Sequence, residues 1–354
     1  VTVDVHQHLW TPAFVDALRR RTAAPRLDGW TLHLDGEPAY EVDPADHDLA
    51  GRLALNADLD LALVSLSSPL GIESLPPEDA WPIIDAYHED ALALPAPFGA
   101  WAATCLSEID PARLAKALDR RGDARDDARH GVRNATGDDI RSGVRDDAKD
   151  RDTAGGTESA AKSGTESGVE NGRTDARPGL VGLQLPATAV RDAAGLARVA
   201  PLLDVLTERD LPLFVHPGPA TEPEGPGWWP AVVPYVQQMH AAWYAFAAFG
   251  RSRHPRLRVC FSLLAGLAPL HSERLANRGG EGRGQVDPNL FLETSSYGPR
   301  AVDAIVRELG VDVVVSGSDQ PYAIAPDPAL GNAAWHAIAV TNPNRLLNGK
   351  ESRK

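Results

Sequence analysis

A chain of 354 residues with 43% hydrophobic and 24% charged side chains is long enough to bury a full core, as one large barrel or as two smaller domains. Its formal net charge of −14 would repel phosphate backbones and anionic lipid, which argues against nucleic-acid and membrane partners and leaves a small-molecule substrate as the expected one. Cys105 and Cys260 lie far apart inside apolar runs, so buried free thiols in a reducing cytoplasm are expected rather than a disulfide framework or a cysteine metal motif. The start, Val1-Thr2-Val3-Asp4-Val5, lacks the basic and apolar regions of a secretory leader, and no apolar run approaches the ~18 residues that span a bilayer.

Short β-rich apolar runs alternate with segments of helical periodicity, the pattern of βα units around a parallel sheet. Eight strands are expected, at Val3–His8, Leu61–Leu66, Phe98–Thr104, Leu180–Leu185, Pro212–His216, Leu257–Phe261, Leu290–Glu293 and Val311–Val315. Eight such units close a (β/α)8 barrel. A doubly wound open sheet would carry a glycine-rich turn after its first strand, where this chain has His6-Gln7-His8-Leu9-Trp10. Two departures from a minimal barrel are expected. Trp30–Val42 alternates around Asp35-Gly36 and reads as a β-hairpin over the first βα loop. The stretch 120–177 has no aromatic residue and dense Asp and Arg, so it reads as a disordered low-complexity insertion interrupting a single barrel domain that spans 1–354.

The chemistry gathers at strand ends. Residues two apart in a strand share a face, so His6 and His8 project together near the end of the first strand as a metal chelate. His216 ends the fifth strand, and Asp319 follows the eighth in Val315-Ser316-Gly317-Ser318-Asp319. In a barrel these ends share one rim, so three imidazoles and one carboxylate are expected to ligate a divalent metal and leave a position open for water or substrate. Zinc is expected, and manganese, iron or cobalt would suit the same ligands.

The motifs Asp4-Val5-His6-Gln7-His8, Phe214-Val215-His216-Pro217, Gly317-Ser318-Asp319-Gln320-Pro321 and Asn342-Pro343-Asn344-Arg345-Leu346-Leu347 resemble the amidohydrolase-related enzymes, in the branch of the aminocarboxymuconate-semialdehyde decarboxylase-like proteins. The resemblance runs nearly end to end outside the insertion. It implies a distorted (β/α)8 barrel, the metal-dependent hydrolase fold, with one divalent metal on His6, His8, His216 and Asp319. No lysine stands in the fourth strand to bridge a second metal. Where the family carries a sixth-strand histidine in a pattern like H-x-G-G-x-x-P, this chain reads Leu263-Leu264-Ala265-Gly266-Leu267-Ala268-Pro269, so Leu263 takes the place of an acid or base.

Three functions remain open on these residues. The leading expectation is hydrolysis of a small amide, lactone or ester, with Asp319 as the proton acceptor and His271 as a candidate for the missing histidine. The alternative is a metal-dependent non-oxidative decarboxylase of an aromatic or unsaturated acid, and the third is a metal-binding barrel without turnover. Trp10, Trp30, Ser296 and Tyr297 are the candidate substrate contacts, with Trp228, Trp229 and His33 near the expected loops. The polar run Glu293-Thr294-Ser295-Ser296-Tyr297 that ends the seventh strand is a candidate to orient a substrate carboxylate or carbonyl. Arg52 and Arg300 are the basic candidates for an anionic substrate, and a homodimer is the oligomeric state left open.

Overall fold

A computed structural model describes residues 1–35, 38–120, 179–220, 225–280, 286–323 and 329–349. The strands are β1 (Val3–Gln7), β2 (Arg26–Asp28), β3 (Thr31–His33), β4 (Tyr40–Glu41), β5 (Leu61–Val64), β6 (Phe98–Ala102), β7 (Leu180–Pro186), β8 (Leu213–His216), β9 (Val259–Phe261), β10 (Leu290–Glu293) and β11 (Val314–Val315). Eight of them form one parallel sheet in the order β1-β5-β6-β7-β8-β9-β10-β11. Backbone bonds join its two ends: Val5 N donates to Ser316 O (3.0 Å), Asp319 N to His6 O (2.8 Å) and His8 N to Gln320 O (2.7 Å). The sheet is therefore a closed (β/α)8 barrel. All eight expected strands are present, and the last is shorter than expected because Val311–Val313 coils into a 3-10 turn before β11.

The strands read as nearly unbroken apolar runs because both faces of a parallel barrel are covered, and β1 and β6 are buried at every position. The surrounding helices start on local signals. Asp110 accepts from Arg113 N and Asp192 from Gly195 N, each satisfying an amide that has no partner within its helix.

The expected hairpin is the β3–β4 pair, with Thr31 opposite Glu41, and β2 adds a third antiparallel strand that alternation did not reveal. Its turn residue Gly36 lies outside the described residues, as does all of the expected insertion except Arg120. Cys105 and Cys260 are free and buried, as expected. Among the described residues no helix is long and apolar enough to cross a membrane.

The barrel interior is filled by Val3, Val5, Leu63, Trp101, Phe214, Cys260, Phe291 and Val315. Trp101 stacks on Phe214 at 5.2 Å and donates its indole N–H to Val5 O (2.9 Å). Gly182 makes room for it, since a Cβ there would lie 2.8 Å from the Trp101 ring and against Pro212 O. Replacing Trp101 by alanine should therefore open a cavity beneath the rim and cost about 3–5 kcal/mol. Urea unfolding should show this as a lower midpoint with an unchanged slope.

Candidate metal centre and pocket

A bulge in β1 places the two histidines. Asp4 pairs with Ala62 and Gln7 with Val64, so three steps along β1 match two along β5. Val5 consequently packs inside the barrel, and His6 next to it also turns inward, its ring 5.0 Å from that of Phe214. Strict alternation from Val3 and Val5 would have sent His6 and His8 outward.

His6, His8, His216 and Asp319 converge, each offering one donor atom, and these atoms all lie within 4.8 Å of one another. His6 Nε2 is 3.2 Å from His8 Nε2, and Asp319 Oδ1 lies 3.4 and 3.2 Å from these two nitrogens. The outer ring nitrogens are all engaged. His8 Nδ1 donates to Ser65 O (3.0 Å), His216 Nδ1 to Pro217 O (2.8 Å), and His6 Nδ1 faces Glu293 Oε2 at 3.0 Å. A carbonyl can only accept, so His8 and His216 must carry their protons on Nδ1 and present the Nε2 lone pair inward. Three oriented imidazoles with one carboxylate fit a single divalent ion.

The charges agree with that reading. Burial, reinforced by the neighbouring His6 and His8, holds His216 well below the usual imidazole range, and burial lowers His8 as well. For His6, burial acts downward, but the facing Asp319 and Glu293 carboxylates outweigh it and raise the ring above its ordinary value. Burial acts to raise Asp319, and the three imidazoles outweigh that and depress it.

Sequence reasoning placed Glu293 toward substrate; instead it is fully buried and holds His6. Ser295 Oγ donates to its Oε2 (2.7 Å) and the Ser295 amide to its Oε1. Gly317 leaves space for this carboxylate, because a Cβ at 317 would collide with it. A buried glutamate closing an apolar strand was the available signal, since such a group needs a partner. Beneath β1, Asp4 accepts from His6 N (3.0 Å), Gln7 Nε2 (2.8 Å) and Ser318 N (3.1 Å). Arg52 is buried there too, donating to His8 O and Gln7 Oε1, both at 2.6 Å, so it supports the strand and is not presented to a substrate. Arg300 is exposed at the start of the helix Pro299–Leu309.

Above the cluster opens a cavity of about 420 Å³ reached by His8, His216 and Asp319. Ser296 and Tyr297 line it. Four of the six tyrosines do so (Tyr40, Tyr235, Tyr297 and Tyr322), along with Leu263 and other aliphatic side chains. Trp10 and Trp30 do not. Trp10 is buried, and His47 is sandwiched between the two indoles, its ring 4.9 Å from Trp10 and 6.5 Å from Trp30 with a 7° tilt to each. These tryptophans pin the small sheet to the end of β1, and that sheet delivers Leu34 and Tyr40, rather than His33, to the pocket. Burial, together with nearby Arg52, pushes His47 down to about 4, so it packs as a neutral ring.

His271 is exposed on a separate surface hollow beside His240, their rings 5.0 Å apart, and takes no part in the cavity. The chain continues past Pro269 on the outside of the barrel, which carries His271 away from the rim. Trp228 is 58% exposed, and the neighbouring turn lines the mouth through Ala231 and Val232 instead.

Compared by sequence, the chain matches no family model and no curated protein. Solved structures do match. IDCase of Metarhizium anisopliae in apo form superposes with a TM-score of 0.69 at 15% identity, covering 99% of this chain and 98% of that one. 5-Carboxyvanillate decarboxylase LigW of Sphingomonas paucimobilis gives 0.60 at 15%, covering 98% of each chain. A 5-carboxyvanillate decarboxylase of Novosphingobium aromaticivorans, complexed with manganese and 4-hydroxy-3-methoxy-5-nitrobenzoic acid, gives 0.61 at 13%, covering 98% of this chain and 96% of that one. The chain thus shares the (β/α)8 barrel fold of these proteins, the fold that the resemblance of its motifs implies. The expectation of hydrolysis is corrected by the same set, whose named activities include 5-carboxyvanillate and 2,6-dihydroxybenzoate decarboxylases. A strand-end metal cluster suits either reaction, so the motifs that carried the hydrolytic reading could not separate the two.

Glu293→Gln or Gly317→Ala should weaken binding of manganese or zinc about 10–100-fold by loosening His6, and His6→Ala/His8→Ala should abolish it, as read by titration and elemental analysis. Because His6 is raised and His8 and His216 are lowered, metal entry at a pH where the His6 ring is charged should release a proton from it. That release should vanish as the pH rises through the His6 value. Calorimetry in buffers of different ionisation enthalpy measures it.

Proposed function

We propose that the protein is a metal-dependent carboxy-lyase that removes the carboxylate of an aromatic or unsaturated acid without oxidation. The observation that carries this reading is the His6, His8, His216 and Asp319 cluster opening into a pocket walled by tyrosines and aliphatic side chains. Likeness of fold to decarboxylases supports it. A divalent ion on these four residues, manganese or zinc, would supply a Lewis acid for the substrate carboxylate and an adjacent hydroxyl.

The protein's part is positioning and proton transfer. Tyr235 and Tyr297 wall the substrate ring, the Ser296 hydroxyl offers a partner to a ring substituent, and Leu70, Val236 and Leu263 keep water from the reacting carbon. Breaking the bond to the carboxylate releases carbon dioxide and leaves its electron pair on the ring carbon. Asp319, whose depressed pKa keeps it ionised, takes a proton from a substrate hydroxyl or water and delivers it to that carbon. One observation favours a second reading. With Leu263 where a histidine acid would stand and His271 outside the pocket, the barrel would bind metal and acid without turnover.

The chain loaded with one manganese should release carbon dioxide from members of a hydroxybenzoate panel, with Asp319→Asn reducing kcat at least about 100-fold. No carbon dioxide from any member, at full metal content, would reject catalysis and select the second reading.

A further inference from the structure

We infer that the pocket selects aromatic acids bearing a single carboxylate and uncharged ring substituents, and discriminates against diacids. This rests on the decarboxylase reading of the same site. Among the described residues that line the cavity there is no lysine or arginine. Arg52, directly below the floor, is buried with both its terminal nitrogens committed, at 2.6 Å each, to His8 O and Gln7 Oε1. Among the described residues the pocket's positive charge would thus come from the bound ion, at a position where Asp319 offsets part of it and Glu293 stands behind His6.

One substrate carboxylate meets that charge. A second, on the same ring, would face Leu34, Leu70, Val232, Val236 and Leu263, with no counter-charge among the described lining residues to neutralise it. A carboxylate taken out of water without a counter-charge is strongly disfavoured, and the chain's net charge of −14 adds a repulsive field against a dianion. Hydroxyl substituents suffer no such penalty against Ser67, Ser296 and the tyrosines.

The test is equilibrium binding to the full chain carrying one manganese ion. Benzoate and isophthalate serve as probes because they differ by one carboxylate and lack the ring hydroxyl that would activate them for turnover. Calorimetry should find isophthalate bound at least about tenfold more weakly than benzoate. Leu263→Arg, which puts a cation against the ring, should bring the two affinities together or reverse them. Val232→Arg, at a mouth position that is 56% exposed and so tolerant of substitution, should do the same. Equal or tighter binding of isophthalate by the unaltered protein, no binding of either probe, or an unchanged ratio in both variants would overturn the inference. Failure of the decarboxylase reading looks different: the tenfold ratio would stand while hydroxybenzoates bind and release no carbon dioxide.

Discussion

Closure of the barrel rests on a short seam. β11 has two residues, too few to hold the sheet shut, and the work passes to three backbone bonds beyond it, from Val5 N to Ser316 O, Asp319 N to His6 O and His8 N to Gln320 O. Two of these bonds use the backbone of the residues whose side chains form the metal cluster, so closing the barrel and assembling the site are one event. Asp319 adopts a left-handed conformation at φ 59° within this seam, which Asp tolerates better than most residues. The closing helix secures it from outside: Asn342 Nδ2 donates to Val311 O and Val314 O at 2.8 and 2.7 Å, and Arg345 bonds Asp312 O and Pro288 O. The tail motif that resembles the family's last helix thus has a structural task, tying the segments that lead into β10 and β11 together.

Electrostatic strain among buried acidic and imidazole side chains is what the cluster must resolve. Asp4, Glu293 and Asp319 sit within or just behind three imidazoles in a water-poor setting, where unpaired charge is costly. Protonation of His6 relieves part of that strain, and a divalent ion would relieve more of it by meeting the carboxylate and all three lone pairs at once. The surrounding bonds to Ser65 O, Pro217 O and Glu293 fix the rings in the orientation such an ion requires before it arrives.

Strain of a different kind lies on the pocket wall. Leu263, Leu264, Ala265, Gly266 and Leu267 all have positive φ, between 47° and 59°, a left-handed turn that costs roughly 1–2 kcal/mol for each non-glycine residue. The family pattern would supply glycine at both 265 and 266, whereas this chain keeps only Gly266, where a Cβ would collide with Val236 O. The turn presents Leu263 to the cavity, so an apolar group stands where an acid is expected. Backbone strain kept at a binding wall is the pattern expected where shape matters to function.

Much of this was legible in the sequence, because alternating βα runs report the barrel and ligand-type residues at strand ends report the rim. His6, His8, His216 and Asp319 were found that way, since strand periodicity and barrel geometry together bring their side chains to one place. Other features depended on contacts between residues distant in the chain. The bulge that turns His6 inward follows from pairing with β5, and Glu293 reaches His6 across 287 positions of sequence. Trp10 and Trp30 looked like substrate walls by their loops, yet their stacking on His47 buries them against the small sheet. His271 was near the right loop in sequence, but the left-handed turn and the helix beyond it carry it to the outer surface. By itself the sequence determined the strand order and the identities of the metal-type side chains, because those are local patterns repeated along the chain. Only the tertiary structure decided which polar groups support the cluster, which face the cavity and that no lysine or arginine lines it among the described residues, because each of these is set by what a side chain meets after the barrel has closed.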